Sequence, residues 1–247
     1  MTLFRDHFSG HAELYRSARP RYPDALFSAF AAVAPGRSLV WDCGTGNGQA
    51  AVGLAEHFDR VIATDGSAKQ IEQAEPHPRV EYRVATAEQS GLADASADLA
   101  LVAQALHWFD LDHFYSEVRR VLRPGGIVAA TCYFNPHIDD PDADEVFQRI
   151  RATLQPYFPP GRELVDDGYQ SVPFPFPTVA FPPIEFTRQC DCDWLLGYIG
   201  SWSATQAYLK SGGSLDAAAA ELAAAWGRPN EPRRLRWEFN VRVGRSQ

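Results

Sequence analysis

Cations are scarce in this 247-residue chain, where 23 lysines and arginines face 31 aspartates and glutamates for a net charge of −8. Affinity for a phosphate backbone comes largely from Lys and Arg, so the deficit argues against a nucleic-acid partner. Long apolar runs are missing too. The longest, such as Leu99 to Leu106, fall well short of the ~18 residues that a membrane helix needs, and Arg5, Asp6 and His7 interrupt any signal-like start. A cytoplasmic protein is expected. Cysteine is sparse: Cys43, Cys132, Cys190 and Cys192 are too few for a disulfide framework, and Cys190-x-Cys192 lacks the second Cys or His pair of a zinc site. There is no periodic glycine and no internal repeat, and an alanine run at 217–225 is the single low-complexity tract, which excludes a fibrous protein.

What is present is an ordinary globular balance, 45% hydrophobic and 22% charged, in a length that suits one domain spanning 1–247. Short apolar or β-branched runs recur at Ser38–Trp41, Arg60–Thr64, Val80–Val84, Leu99–Ala103 and Ile127–Cys132, separated by stretches long enough for helices. That alternation predicts an α/β protein with a doubly wound, Rossmann-like, mostly parallel sheet. Ser67-x-x-Gln70 reads as a capping box, and Asp112 as the N-cap of a helix carrying Phe114, Val118, Val121 and Leu122 up to the Pro124-Gly125-Gly126 turn. The core region is thus 36–133, preceded by an N-terminal flap and helix at 1–35.

Beyond residue 134 the texture changes, and eight of the 18 prolines lie between Pro156 and Pro183. Proline is excluded from helix interiors and central strands, so 134–226 is expected to be a helical lid insertion with substrate-side helices and one strand near 180–189. The best helices there are Asp142–Leu154, Asp193–Leu209 and an alanine-rich one capped by Ser214. A last strand at 233–245 alternates Leu235, Trp237, Phe239, Val241 and Val243 with polar neighbours. Paired antiparallel with 180–189, it would complete seven strands.

The sharpest constellation is Val40-Trp41-Asp42-Cys43-Gly44-Thr45-Gly46-Asn47-Gly48, an acid ending a strand before alternating glycines and a helix start. Glycines allow a tight strand-to-helix turn and close backbone approach to a ligand, while helix-start amides face a polar or anionic group. A dinucleotide fingerprint from Gly44 fails at Gln49, although the degenerate Gly-x-Gly-x-x-Ala from Gly46 ends at Ala51. Asp65, 23 residues after Asp42, closes the second strand where an acid accepts ribose hydroxyls, which suits any adenosine cofactor.

These residues resemble the class I S-adenosylmethionine-dependent methyltransferases, in particular the methyltransferase type 11 branch that includes trans-aconitate methyltransferase-like enzymes. Further elements match in order: Ala87-Glu88, Gln104-Ala105-Leu106-His107-Trp108-Phe109, Arg120-Val121-Leu122-Arg123-Pro124-Gly125-Gly126, Arg19-Pro20-Arg21-Tyr22-Pro23 after Tyr15, and Ser201-Trp202-Ser203-Ala204. The resemblance implies S-adenosyl-L-methionine as cofactor and S-adenosyl-L-homocysteine as product. It implies a methionine site at Asp42, Gly44, Gly46, Gly48 and Gln104, a ribose site at Asp65 and Gly66, adenine neighbours at Ala87 and Glu88, and Tyr15 or Arg19 on the cofactor carboxylate.

The implied activity is methyl transfer to a small-molecule acceptor, a carboxylate being one candidate, by in-line displacement. A cofactor-binding regulator or degenerate methyltransferase is the alternative, with a nicotinamide oxidoreductase behind it. His107 is the candidate general base, since imidazole titrates near neutrality, and Trp108 and Trp202 are candidate substrate-pocket walls. A carboxylate acceptor would need no base but a cation, for which Arg21 and Arg162 are placed. His107, Asp110, Asp112 and His113 are a poor metal set, and no metal is expected. Six arginines and two glutamates give residues 228–247 a net of +4, and the shared polar face of Arg234, Arg236 and Arg242 suggests pairing around the sheet.

Overall fold

The computed structural model describes residues 19–246. Among them run the strands β1 (Val40–Cys43), β2 (Val61–Asp65), β3 (Val80–Val84), β4 (Ala97–Ala103), β5 (Leu122–Ile138), β6 (Phe186–Cys190) and β7 (Arg233–Arg245). The helices are α1 (Asp24–Val33), α2 (Gln49–Ala55), α3 (Ala68–Glu72), α4 (Leu111–Val121), α5 (Pro141–Leu154), α6 (Arg162–Asp166), α7 (Cys192–Gly200), α8 (Ser203–Lys210) and α9 (Asp216–Trp226). The sheet order is β3-β2-β1-β4-β5-β7-β6, with β1 to β5 paired parallel and β6 antiparallel to β7. The mostly parallel, seven-stranded α/β sheet expected above is therefore present.

Two compact units divide the chain. Among the described residues, one comprises Tyr22–Phe134, Glu163–Glu185 and 239–246 and holds the parallel strands; the other comprises 19–21, Asn135–Arg162 and Phe186–Glu238. The region 134–226 is thus shared, its central stretch packing with the parallel sheet.

In the first unit, alternation along each strand sends side chains to both faces. Trp41 and Cys43 of β1 and Ala100 and Val102 of β4 join Phe114, Val118 and Tyr169 on one face, whereas Val40, Leu99 and Leu101 join Phe30, Leu54 and Val243 on the other. A sheet covered on both sides explains why its central strands read as continuous apolar runs. On the first face, buried Glu117 of α4 accepts from the Ser90 amide at 2.8 Å and pairs with Arg120 at 2.7 Å, which hold its carboxyl down at about 2 despite burial. Because its ordinary value is 4.5, the stabilisation is complete above that pH and is lost as pH falls toward 2. Glu117→Gln is expected to lower stability by about 3 kcal/mol at pH 7 and by little near pH 2.5, read by urea melts at the two pH values.

In the second unit, α5 begins at an Asp140 cap and the antiparallel pair brings Phe186 opposite Trp237. Arg234 and Arg236, two of the three arginines on the polar face of the last strand, approach Asp139 at 3.7 and 2.7 Å, while Arg233, one residue out of that register, pairs with Asp140.

Several local readings change. The strand expected at 180–189 starts only at Phe186, because Pro182 and Pro183 supply no ladder donors. The helix expected over Asp193–Leu209 is two helices, α7 and α8, separated at Ser201 and Trp202. Asp110, not Asp112, caps α4, since Asp110 has the extended backbone from which its carboxylate reaches the His113 amide. Ser67 does cap α3, but its own amide donates to Asp65 at 2.8 Å, the bond a full capping box would direct to Gln70. Ser214 accepts from the Asp216 amide while Leu215 holds the N-cap position. All four cysteines are free and buried. No described helix is long and apolar enough to cross a membrane.

Candidate functional site

The carboxyl ends of β1, β2 and β4 meet in the first unit, where Cys43 is in register with Thr64 on one side and Val102 on the other. Open α/β sheets bind ligands at such strand ends. The loop leaving β1 is held by backbone: Gly44 and Thr45 amides donate to the Thr64 carbonyl at 2.9 and 3.0 Å. Gly46 donates to Asp65 at 2.9 Å, so one carboxylate ties this loop to the turn at Ser67. Gly44, Gly46 and Gly48 all have left-handed backbones, which L side chains rarely adopt. At Gly48 a Cβ would lie 2.2 Å from the Tyr82 hydroxyl, which donates to the Glu75 carbonyl at 2.6 Å; the glycine is needed for space as well as for φ.

Asp42 is fully buried. Its Oδ2 accepts from the Thr45 hydroxyl at 2.5 Å, and its Oδ1 has no hydrogen-bond partner among the described residues. Burial pushes the carboxyl up from 3.8 to about 7; the Thr45 bond opposes this and neighbouring Asp65 adds to it. At the end of β4, Gln104 adopts φ +59° and donates from Nε2 to the Tyr133 carbonyl at 2.8 Å, and its buried Oε1 has no hydrogen-bond partner among the described residues. Two unsatisfied acceptors, one of them a carboxylate, at adjoining strand ends suit a ligand ammonium with several N–H donors. A site for the amino-acid end of S-adenosylmethionine therefore fits the residues present.

Other expected residues take varied places. Gly66 follows Asp65 with open space where a Cβ would stand. Ala87 is buried, and Glu88 accepts from the Asp110 amide at 3.1 Å, linking the loop after β3 to the start of α4. His107 lies in the short turn after β4, its Nδ1 2.9 Å from the Tyr169 hydroxyl. Trp108 is 61% exposed, its ring centroid 4.6 Å from that of His107. His113 pairs with Asp110 at 3.0 Å, and Asp110 also caps α4 through the His113 amide, so two of the four residues judged a poor metal set serve the helix start.

In the second unit, Trp202 is buried against Phe147, Phe158 and Tyr198. There Arg19 donates to the Ser201 carbonyl at 3.3 Å and Arg162 covers the Phe158 ring at 4.6 Å. Tyr15 lies outside the described residues.

Tyr22 of the Arg19–Pro23 element, and residues that no motif announced, complete these surroundings. Tyr22 packs edge-on to Tyr133 at 6.0 Å, and burial together with the nearby Tyr133 and Asp42 pushes its phenol well above the usual range. Tyr169 comes from the proline-rich stretch, 62 residues after its partner His107. Thr45, the hydroxyl on Asp42, was visible only as the variable position of the glycine motif.

Comparison with known proteins agrees with this geometry. Residues 41–130, which hold β1 to β5 up to Ala130, match the methyltransferase domain family. A Dictyostelium discoideum protein assigned as a methyltransferase is 36% identical over 215 residues, 85% of this chain and 82% of that one. A Saccharomyces cerevisiae protein assigned as an S-adenosylmethionine-dependent methyltransferase is 30% identical over 55% of this chain and 50% of its own length. The solved structure of a protein from Anaeromyxobacter dehalogenans, assigned as a type II methyltransferase, superposes with a TM-score of 0.86 at 48% identity, covering 92% of this chain and 97% of that one. By its identity to these relatives over most of both chains, and by the superposition of its fold, this chain belongs to the class I S-adenosylmethionine-dependent methyltransferases.

Proposed function

We propose that this enzyme methylates an oxygen of a small organic molecule, and that a hydroxyl compound is the acceptor its residues suit best. S-adenosylmethionine supplies, when bound, a methyl group on a sulfonium that is already a good leaving group. The chain's own task is then mainly to align and to exclude water. Asp42 Oδ1 and Gln104 Oε1 would take the cofactor ammonium, Gly44 to Gly48 its methionine portion, Asp65 and Gly66 the ribose, and Ala87 with Glu88 the adenine edge. Tyr15 and Arg19 are the proposed partners of its carboxylate.

The observation carrying the acceptor reading is the His107–Tyr169 pair at the end of β4. A histidine held by a second polar group is what removal of a hydroxyl proton requires. Arg242, which β7 brings to this region, is engaged by the carbonyls of Tyr169 and Val172. A carboxylate acceptor, the class named by the resemblance to trans-aconitate methyltransferases, would draw its cation from Arg21 or Arg162. Trp108 and Trp202 are proposed as substrate walls, and the cytoplasm as the setting.

The test is S-adenosylhomocysteine release from saturating S-adenosylmethionine across a panel of alcohols, phenols and carboxylic acids between pH 5.5 and 9. A hydroxyl acceptor should give a rate that rises as an imidazole deprotonates and then levels. A carboxylate, ionised throughout, should give a flat profile and would overturn the hydroxyl reading. Asp65→Ala should weaken S-adenosylhomocysteine binding by more than tenfold in calorimetry, because hydrogen bonds to a charged acceptor contribute about 1.5–3 kcal/mol. Unchanged affinity would place the ribose elsewhere.

A further inference from the structure

Tyr169 stands in a conformation that an L residue seldom adopts. Gly168 and Tyr169 are consecutive left-handed residues, at φ +66° and +60°. Such a backbone in a bulky residue is strained and persists only where its surroundings hold it. Here the hold is visible. The Tyr169 amide donates to the Leu164 carbonyl at 2.8 Å, Asn240 of β7 donates to the Gly168 carbonyl, and Arg242 of β7 donates to the carbonyls of Tyr169 and, at 2.6 Å, Val172. Arg242 also lies over the Phe174 ring at 4.8 Å. A Cβ at position 168 would stand 2.7 Å from the Asn240 amide, so glycine there lets the clamp close. Two polar residues of the last strand are thus used on one turn, and the product of that turn is a buried tyrosine whose hydroxyl meets His107 Nδ1 at 2.9 Å.

We propose that Tyr169 is a positioning residue for His107. Its hydroxyl oxygen accepts the Nδ1–H, which fixes the neutral imidazole in the tautomer whose basic nitrogen is Nε2, and the Asn240 and Arg242 clamp keeps the tyrosine in place. A neutral imidazole has one donor and one acceptor nitrogen, so committing Nδ1 as the donor decides the other. The inference rests on the hydroxyl-acceptor reading. In the transfer step an oxygen lone pair of the acceptor forms the bond to the methyl carbon, the carbon–sulfur bond breaks with its electrons left on sulfur, and the acceptor proton goes to His107 Nε2.

The tautomer is readable without an acceptor. Long-range proton–nitrogen spectra of the 15N-labelled full chain, saturated with S-adenosylhomocysteine at pH 8, contain the His107 signal, identified by its loss in His107→Gln. We expect a protonated Nδ1 and an unprotonated Nε2, and a shift of the population toward the Nε2–H form in Tyr169→Phe. An Nε2–H tautomer in the wild-type protein, or a spectrum unmoved by Tyr169→Phe, would overturn the proposal, and the wild-type spectrum decides even if the variant does not fold. With a hydroxyl acceptor from the panel, Tyr169→Phe should lower kcat at least tenfold while KM changes less than twofold. A carboxylate-only enzyme that shows the Nδ1–H tautomer would refute the acceptor reading and the proton transfer to Nε2 while leaving the role of Tyr169 in place. A hydroxyl methyltransferase with the opposite tautomer would refute the role of Tyr169 alone.

Discussion

Asp42→Asn is expected to make the free protein more stable and its cofactor binding about a hundredfold weaker. Both effects come from the same buried carboxyl, which folding raises from 3.8 to about 7. Between those values the folded protein keeps a proton that the unfolded chain has released, so stability falls as pH rises through the window and the loss is complete above about 7. The shift corresponds to on the order of 4 kcal/mol, which asparagine avoids by carrying no charge. A Tm gain of about 8–16 °C at pH 8, shrinking toward zero at pH 4, is the expected outcome of thermal melts on the apo proteins.

Binding moves the other way. The unpartnered Oδ1 lacks a cation in the apo protein, and hydrogen bonds to a charged acceptor are stronger than to an amide. For the same reason wild-type affinity should fall as pH drops below 7, and binding at pH 6 should release close to one proton, seen in calorimetry as a dependence on buffer ionisation enthalpy. Equal affinity of the two proteins would remove Asp42 from the ammonium site.

Gly44→Ala should harm both stability and binding, and for a different reason. At φ +69° an alanine is strained by about 1 kcal/mol, and its Cβ would lie 2.7 Å from the Ala105 Cβ and 3.0 Å from the Phe109 ring. Neither neighbour is the free end of a flexible chain, so crowding adds about 1–3 kcal/mol. Movement to relieve it would pull on the Gly44 amide bound to Thr64 and displace the loop. A Tm lower by about 5–10 °C and at least tenfold weaker S-adenosylhomocysteine binding are expected. Gly46→Ala is the comparison: its nearest neighbour is Gln70 Oε1 at 3.9 Å, so only backbone strain applies and the Tm loss should be clearly smaller. Equal losses would mean that crowding at Ala105 plays no part.

The proposed cofactor residues were legible because they are close in sequence or stand at strand ends. Asp42 to Gly48 is one continuous turn, and Asp65 closes the next strand in register with it. The proposed acceptor side was not. His107 carried a recognisable motif, but its partner sits 62 residues away in a stretch whose prolines suggest only irregular chain. Local chemistry was also ambiguous where two candidates lay together: Asp110 and Asp112 are both acceptable caps, and only backbone angles choose Asp110. The break between α7 and α8 is similar, since Ser201 and Trp202 are permitted inside a helix.

By itself, the sequence determined the α/β class, the alternation of strands and helices, the methyltransferase family and the glycine turn that leaves β1. These depend on periodicity, on glycine where φ is positive and on spacing along the chain. Tertiary structure alone decided that Asp42 is buried with one oxygen unsatisfied, that Gln104 shares this condition, and that Tyr169 reaches His107. Burial and missing hydrogen-bond partners arise from packing between segments distant in sequence, and they set both the charge of a carboxyl and the direction of a side chain.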